Sequence, residues 1–382
     1  MYLRSHPVLF ALLAATRGRG VRRLGRVVLV HDAGAYREAL TRLPLDRTAT
    51  GTTGGAAREA LAGAGAPGGG VLFDQEGNGH RAGRRGLAAG LGAAGVEELR
   101  ALWRPLLERR LAPLAHGGEV DLAALARELS GTVVCALLDS PADPVEVARA
   151  CAEAASASIR THLPGPPRPG AAARATASAP ALRALLSPAA VGPSDAGACP
   201  VAGRSRGAVA PAVEGPGWDG ALAAMVAVAA VNTSVAAVPR AVAWCADAGL
   251  WAQAADPGML PRLVDELLRV TAASPVLPRV AAADGRVGGC PVRAGDRLLL
   301  VARHAARAHR RDPDALDPVA PADAHLVFGA GPHACPGARL ARAQLADVLA
   351  ALAPYRPRVV RARVDRRAAL PGWRVLTVRA AS

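Results

Sequence analysis

The most constraining feature of this sequence is a ten-residue segment, Phe328–Gly337, that places one cysteine in a glycine-rich turn. It reads Phe-Gly-Ala-Gly-Pro-His-Ala-Cys-Pro-Gly, and a helical pattern follows from Ala338 to Leu352. Glycines let the backbone turn tightly and approach a flat ligand closely. Amides at a helix N-terminus stabilise a thiolate and lower its pKa, so Cys335 is suited to bind a metal. The alternative is a glycine-rich turn that happens to contain a buried cysteine.

The register of this segment favours the first interpretation, because phenylalanine, two spaced glycines, histidine, cysteine and a last glycine fall at fixed positions. The segment resembles the haem-binding loop of cytochromes P-450, which has the form F-G-x-G-x-H-x-C-x-G in bacterial members. The resemblance implies haem b as cofactor, with the Cys335 thiolate as the iron ligand. It also implies that Phe328, Gly329, His333 and Gly337 belong to the haem-binding site.

Apolar periodicity elsewhere predicts a mainly α chain with small β-sheets. The resemblance implies the cytochrome P-450 fold, with residues 1–382 as a single large domain. A long helix is predicted from Trp218 to about Ala248, kinked or broken at Pro239. Residues 49–70 and 164–217 are rich in Gly, Ala, Pro, Ser or Thr and are predicted to be long irregular segments. Further predicted elements are a strand at 26–31, helices at 97–114, 120–138 and 261–270, and strand pieces at 279–281, 286–287 and 297–301.

Three further motifs carry the resemblance outside the cysteine loop. Glu266 and Arg269 match E-x-x-R, and their i, i+3 spacing allows them to pair; in the family such a pair braces the haem core. His80 and Arg84 match H-x-x-x-R, whose side chains bind the haem propionates in the family, and Arg279 falls where the family has another propionate-binding arginine. The alternatives are a solvated surface ion pair, a basic helix surface and a solvated strand end.

The central helix departs from the family pattern A-G-x-[D/E]-T. The aligned stretch is Ala229–Thr233, in which Thr233 matches the residue that helps to handle iron-bound oxygen, and Asn232 replaces the acid. An amide can form hydrogen bonds but cannot titrate, so protons must come through Thr233, Ser234, water or the substrate. The alternative for Thr233 is a helix threonine bonded to its own backbone. An R-D-P motif, Arg311–Pro313, is present, but the arginine usual after it is missing.

The net charge of +15 is not taken as a sign of nucleic-acid binding, because all 46 basic residues are arginine and they are scattered along the chain. Six cysteines without a CxxC pair favour a reducing cytoplasm over secretion. Val8–Ala15 resembles a signal segment with a poor cleavage context. Gly220–Val238 is long enough to span a bilayer, but it is predicted to be a buried helix. No membrane association is expected.

The resemblance implies a haem-thiolate monooxygenase that inserts one oxygen atom of O2 into a small or medium organic substrate, free or carrier-bound. Electrons would come from NAD(P)H through a ferredoxin and ferredoxin reductase, docked at arginines such as Arg339 and Arg342. Two alternatives stay open: non-hydroxylating haem-thiolate chemistry (peroxide use, dehydration or oxidative coupling), and a non-catalytic haem-binding protein. Substrate contacts are expected from residues 49–72, 160–216, 225–229 and 273–277.

Overall fold

The computed structural model describes residues 2–52, 54–55, 72, 75–158, 170–186 and 220–381. These residues form mostly helices with small sheets, which confirms the predicted fold class. The single-domain organisation stays a prediction. The α-helices described are α1 (Tyr2–Ser5), α2 (Pro7–Thr16), α3 (Ala33–Thr41), α4 (Gly77–Leu91), α5 (Ala93–Leu111), α6 (Leu122–Leu137), α7 (Pro144–Ser158), α8 (Ala171–Leu186), α9 (Gly220–Asp247), α10 (Trp251–Ala255), α11 (Leu260–Thr271), α12 (Ala302–Ala305), α13 (Pro321–Ala324) and α14 (Ala338–Leu352).

The strands of the described ranges form three sheets. A five-stranded sheet has the order β1-β2-β8-β5-β3, in which only β2 and β8 run parallel; a three-stranded sheet has the order β4-β10-β9, and β6 pairs with β7. Their bounds are β1 (Val21–Leu24), β2 (Val27–Val30), β3 (Leu45–Asp46), β4 (Glu119–Asp121), β5 (Leu277–Ala281), β6 (Gly285–Val287), β7 (Cys290–Val292), β8 (Arg297–Leu300), β9 (Arg358–Val364) and β10 (Trp373–Arg379).

Helices α5, α6, α9, α11 and α14 bury their apolar faces in one large cluster of mostly leucine, valine and alanine. This composition follows from a chain with only 3% aromatic residues. Trp103 of α5 is a fully buried exception, and its indole Nε1 donates to Asp347 of α14 at 2.9 Å. A second cluster lies between the five-stranded sheet and α3. The central helix α9 contributes its buried residues to the first of these clusters.

The sequence predicts a kink or a break at Pro239; helix α9 continues through this residue, so there is no break. Proline removes one backbone donor, but Val238, Pro239 and Arg240 are all buried, and packing around them holds the helix. A part of α9, Leu222–Asp247, is long and apolar enough to cross a bilayer by length and composition. It packs against α6, α7 and α11 as a core helix does.

The predicted irregular segment 164–217 is wrong over Ala171–Leu186, which forms α8 even though Pro180 lies inside it. Alanine has the highest helix propensity, and this stretch is rich in it. Leu182 and Leu186 are buried against neighbouring helices, and Ser140 donates to the carbonyl of Leu185 at 3.1 Å. The rest of that prediction, and most of the predicted loop 49–70, lies outside the described residues.

Two buried histidines join the five-stranded sheet to α12. Nδ1 of His31 and Nδ1 of His304 are 2.8 Å apart, so one ring donates the hydrogen and the other accepts it. Burial lowers the pKa of His31 to about 4 and the pKa of His304 to about 3. Both rings are therefore neutral at pH 7, whereas the unfolded chain protonates them below about 6.5.

This pair predicts that the free energy of unfolding falls when the pH is lowered from 7 to 5. The unfolded chain binds more protons in that window, and each rejected proton removes up to about 1.4 kcal/mol per pH unit. Urea unfolding of the wild type and of His304→Gln at both pH values measures the effect. We expect a smaller loss in the variant; an equal loss in both proteins would contradict the assignment.

Candidate active site

A cavity of about 400 Å³ lies between the cysteine loop and the central helix. Most of its wall is apolar, and it includes Met225 and Ala229 of α9 and the segment 273–277, as expected for residues that contact an organic substrate. Predicted site residues in the wall are Thr233, Asn232, Arg279, Phe328, Gly329, His333, Cys335 and Gly337. The cysteine loop and the central helix thus line the same cavity. Their distance from each other in the sequence does not reveal this.

The backbone of the loop presents Cys335 to this cavity. The N–H of Cys335 donates to the carbonyl of Phe328 at 2.8 Å, which closes the turn. Gly329 and Gly331 have φ values of 78° and 71°, in the left-handed region that favours glycine. A Cβ on Gly331 would also lie 3.3 Å from the carbonyl oxygen of Leu40. Helix α14 begins directly after the loop, as predicted.

The protonation of Cys335 is set by opposing effects. Burial raises the pKa of the Cys335 thiol, whereas the N–H of Gly337 and the guanidinium groups of Arg84 and Arg342 lower it. The sequence predicted a net lowering at the helix N-terminus, and this is wrong for the protein alone because burial outweighs the donors. A bound cation deprotonates a coordinating thiol outright. The N–H of Gly337 and the guanidinium groups of Arg84 and Arg342 would then stabilise the negative charge of the thiolate.

Basic side chains gather beside the loop, as the resemblance implied. The ring of His80 stacks on that of His333 with centroids 3.9 Å apart, and Arg84 donates to the carbonyl of Ala334 at 2.6 Å. Burial lowers the pKa of Arg279 to about 10. Arg47, which sequence analysis missed, also lines the cavity and pairs with Glu76 at 2.8 Å.

These basic residues fit the two carboxylates of haem. His80 is buried, and its Nε2 has no hydrogen-bond partner among the described residues. Such an orphaned polar atom is costly unless a ligand satisfies it. Arg279 lines the cavity, where its positive charge can pair with a carboxylate. Among the described residues, His80 and Arg84 are not part of the wall itself; they lie behind it, against His333 and Ala334.

Thr233 and Asn232 have different surroundings from those the motif suggests. The hydroxyl of Thr233 donates to the carbonyl of Ala229 at 2.7 Å, so the bond to its own helix is present although the residue also faces the cavity. Nδ2 of Asn232 donates to the carbonyls of Val228 at 2.8 Å and Cys151 at 3.1 Å. Asn232 therefore ties α9 to α7, and both of its amide hydrogens are used by backbone carbonyls.

The pairing of Ser234 with Gln344 in the cavity wall was not predicted. The hydroxyl of Ser234 lies 3.3 Å from Oε1 of Gln344, which is 1% exposed on α14. The available signal was a polar residue on the apolar face of a helix, since Gln344 is four residues from both Leu340 and Val348. Ser234 and Gln344 give the wall a hydroxyl and an amide next to Thr233.

Glu266 and Arg269 form a buried ion pair, which excludes the surface-pair alternative. Their exposed fractions are 1% and 0%, and Nε of Arg269 donates to Oε1 of Glu266 at 2.9 Å. In place of the missing arginine after R-D-P, the carbonyls of Arg311 and Asp312 accept from Arg269 at 3.2 Å, and the N–H of Val319 donates to Glu266 at 3.0 Å. The pair thus fixes the segment that leads to the cysteine loop.

Of the two arginines predicted to dock a redox partner, Arg342 is already engaged. Its Nε donates to Asp265 at 2.5 Å, and its guanidinium lies 4.7 Å from the centroid of the Phe328 ring. Arg342 therefore stabilises the cysteine loop, and little of its charge is available to bind a redox partner. Arg339 is exposed.

Comparison with known proteins shows which family model and which proteins the chain is similar to. Residues 251–352 match the family model for cytochrome P450. Over 99 residues the chain is 43% identical to 20-oxo-5-O-mycaminosyltylactone 23-monooxygenase from Streptomyces fradiae, which is 25% of this chain and 24% of that protein. Nocardicin C N-oxygenase from Nocardia uniformis subsp. tsuyamanensis is 40% identical over 107 residues, 27% of each chain. The aligned part thus spans about a quarter of the length of these relatives.

The structural likeness extends over the whole chain. A crystal structure of P450BioI in complex with an acyl carrier protein ligated to hexadec-9Z-enoic acid matches with a TM-score of 0.74 and 16% identity, over 100% of both chains. A crystal structure of epothilone D-bound P450epoK matches with a TM-score of 0.72 and 18% identity, over 99% of this chain and 96% of that one. These similarities show the fold. The fold is that of cytochromes P450, and residues 251–352 carry the match to the family model.

Proposed function

We propose that this protein is a haem-thiolate monooxygenase that inserts one oxygen atom of O2 into a small or medium organic substrate. Its electrons would come from NAD(P)H through a ferredoxin and ferredoxin reductase in the cytoplasm. The observation that carries the proposal is the cavity that joins Cys335 to the hydroxyl of Thr233 within an apolar wall. The match of residues 251–352 to the cytochrome P450 family model supports haem as the cofactor, and the basic residues at the cavity fit its carboxylates.

Haem held by Cys335 would supply O2 activation, since thiolate donation to iron favours O–O cleavage. The chain's own residues would bind the haem, orient the substrate and exclude water from the cavity. The N–H of Gly337 would stabilise negative charge on the Cys335 sulfur, and His333 and Arg279, which line the cavity, would bind the haem carboxylates. The apolar wall formed by Met225, Ala229 and their neighbours binds an organic substrate by burial of apolar surface.

The polar residues of the cavity wall would hold the water molecules that deliver protons. With its hydrogen donated to Ala229, the Thr233 oxygen can accept a hydrogen bond from water in the cavity. Ser234 and Gln344 can hold a further water, since hydroxyl and amide groups both donate and accept. Asn232 has no titratable proton and keeps its amide hydrogens on two carbonyls. A water chain along Thr233 and Ser234 therefore takes the place of the usual acid.

Thr233→Ala tests this role. We expect product per NAD(P)H consumed to fall by about one to two orders of magnitude, since positioned proton transfer contributes about 10²–10⁴-fold. Product and peroxide are measured with a surrogate ferredoxin and reductase on a panel of small apolar substrates. Thr132→Ala is the matched control, because Thr132 also donates to its own helix, to Glu128 at 2.9 Å, but does not line the cavity among the described residues.

The same assay tests the proposed function as a whole. Oxygenated product that depends on O2 and NAD(P)H supports it. Product that forms only with added peroxide, equally in wild type and Thr233→Ala, would instead support the non-hydroxylating class, which the engaged amide of Asn232 favours. Haem uptake without turnover on any substrate would support the non-catalytic alternative.

Arg279→Leu tests the haem carboxylate site. We expect haem to leave the variant about 10–100 times faster, because a hydrogen bond to a charged group is worth about 1.5–3 kcal/mol. The rate is measured as haem transfer to apomyoglobin. Arg286→Leu is the control, since Arg286 is exposed on β6. Equal rates in the two variants would contradict the assignment.

The substrate class is proposed as organic and mostly apolar, either free or attached to a carrier protein. The free form is supported by a cavity wall that is largely apolar. The carrier-bound form is supported by P450BioI, whose structure holds an acyl carrier protein. Residues 56–71 and 187–219, which include much of the predicted substrate region, lie outside the described structure.

A further inference from the structure

A second cavity, of about 470 Å³, lies between α2, the C-terminal half of α9 and the segment 303–312. We call it the arginine cleft. Among the described residues it shares no lining residue with the cavity between the cysteine loop and α9, which we call the haem cavity. Its lining residues are Phe10, Leu13, Ala14, Arg17, Trp244, Arg303, His304, Ala308, His309, Arg310, Arg311 and Asp312.

The charge of the arginine cleft is positive. Four arginines line it, whereas Asp312 is its one acidic lining residue among those described. Arg311 is already paired with Asp317 at 2.5 Å. Arg17, Arg303 and Arg310 carry the other three positive charges of the lining.

Imidazole rings form a polar surface in the same cleft. The rings of His304 and His309 have centroids 4.3 Å apart, and His304 is bonded to His31. Nδ1 of His309 is buried and has no hydrogen-bond partner among the described residues. Burial and then the charge of Arg310 lower the pKa of His309 to about 4. A neutral ring with an unsatisfied nitrogen beside arginines suits an anion, which arginine binds strongly.

The cleft is also partly apolar and held in place. Phe10, Leu13 and Ala14 of α2 contribute one part of the wall, and Trp244 of α9 contributes another. Arg303 is positioned by a bond to the carbonyl of Val270 at 2.6 Å. The buried Arg269 holds the carbonyls of Arg311 and Asp312. A site fixed in this way loses little conformational entropy when a ligand binds.

We propose that the arginine cleft binds a small amphipathic anion, an organic carboxylate or phosphate. Its head would contact Arg17, Arg310 and the ring of His309, and its apolar body would lie against Phe10 and Trp244. The ligand would be a monoanion or dianion, because the surplus charge is small. This binding does not require the oxygenation reaction, since the haem cavity is a different space.

Titration calorimetry of the haem-loaded protein with octanoate and, separately, with inorganic phosphate tests the proposal. Arg17 and Arg310 are exposed, so the double variant Arg17→Ala, Arg310→Ala should fold. We expect it to bind octanoate at least about tenfold more weakly, because charge-assisted bonds are the strong ones. The matched control is Arg361→Ala, Arg363→Ala, which removes the same charge from exposed positions on β9. NMR of histidine-labelled protein should show that the ring signals of His309 shift, whereas those of exposed His116 do not.

Each outcome decides between the cleft and another site. Weaker binding only in the cleft variant, with a shift of His309, supports the proposal. Equal octanoate affinity in wild type and cleft variant, with a changed haem absorption spectrum, would place octanoate in the haem cavity and overturn it. Equal loss of affinity in both double variants would show a general effect of charge and also overturn it. Phosphate binding as tight as octanoate would overturn the role of the apolar wall.

Discussion

Replacing Arg269 by alanine lowers the free energy of unfolding by about 3–5 kcal/mol, because removal of one partner leaves a buried charge without compensation. Glu266 would stay at 1% exposure with only the N–H of Val319 as a described partner. The carbonyls of Arg311 and Asp312 would also lose their donor. Both losses act on the segment before the cysteine loop, so we expect weaker haem retention as well. Urea unfolding and haem transfer measure the two effects.

Two variants control this prediction. Arg149→Ala removes one member of an exposed i, i+4 pair with Glu153, 66% and 61% exposed, and should change stability by less than about 0.5 kcal/mol. Arg269→Lys keeps the charge but loses the two-pronged geometry, so it should fall between wild type and Arg269→Ala. A change in Arg269→Ala no larger than that in Arg149→Ala would show that the pair does not brace the core.

Replacing Cys335 by alanine abolishes thiolate ligation and oxygenated product while the fold stays intact. Within the described residues Cys335 is the cysteine that lines the haem cavity, so no other described thiol can replace it. Its side chain lines the cavity, so the loss of one sulfur atom removes little packing within the protein. Circular dichroism and urea unfolding should show near-wild-type stability. Product formation should fall below detection.

Cys290→Ala is the matched control for this variant. Cys290 is a half-buried free cysteine on β7, outside the cavity wall of the described structure. We expect it to keep product formation and the haem spectrum of the wild type. Residual turnover in Cys335→Ala at the level of Cys290→Ala would remove Cys335 from the mechanism.

The cysteine loop and its flanking elements were predictable because local chemistry determines them. Gly329 and Gly331 adopt the left-handed conformation that their pattern indicates, and α14 spans Ala338–Leu352 as predicted. The strand pieces around Arg279 and Arg297 were also found, because apolar residues bounded by turn signals predict short strands. The resemblance implied that Glu266 and Arg269 form a pair that braces the core, whereas i, i+3 spacing alone does not separate a buried pair from a surface pair.

Tertiary contacts set the features that the sequence could not reveal. The amide of Asn232 is engaged by Cys151, which is 81 residues away. Arg342 is paired with Asp265, which is 77 residues away, and Ser234 bonds to Gln344, which is 110 residues away. Helix α9 continues through Pro239 because the surrounding residues are buried, and packing outweighs the local preference of proline.

The most direct test of thiolate ligation is the carbon-monoxide difference spectrum of the reduced, haem-loaded protein beside Cys335→Ala. We predict a strongly red-shifted Soret band in the wild type and its loss in the variant, because carbon monoxide opposite a thiolate gives this band. A band typical of histidine ligation in the wild type, or the same band in both proteins, would contradict the assignment of Cys335 as the iron ligand.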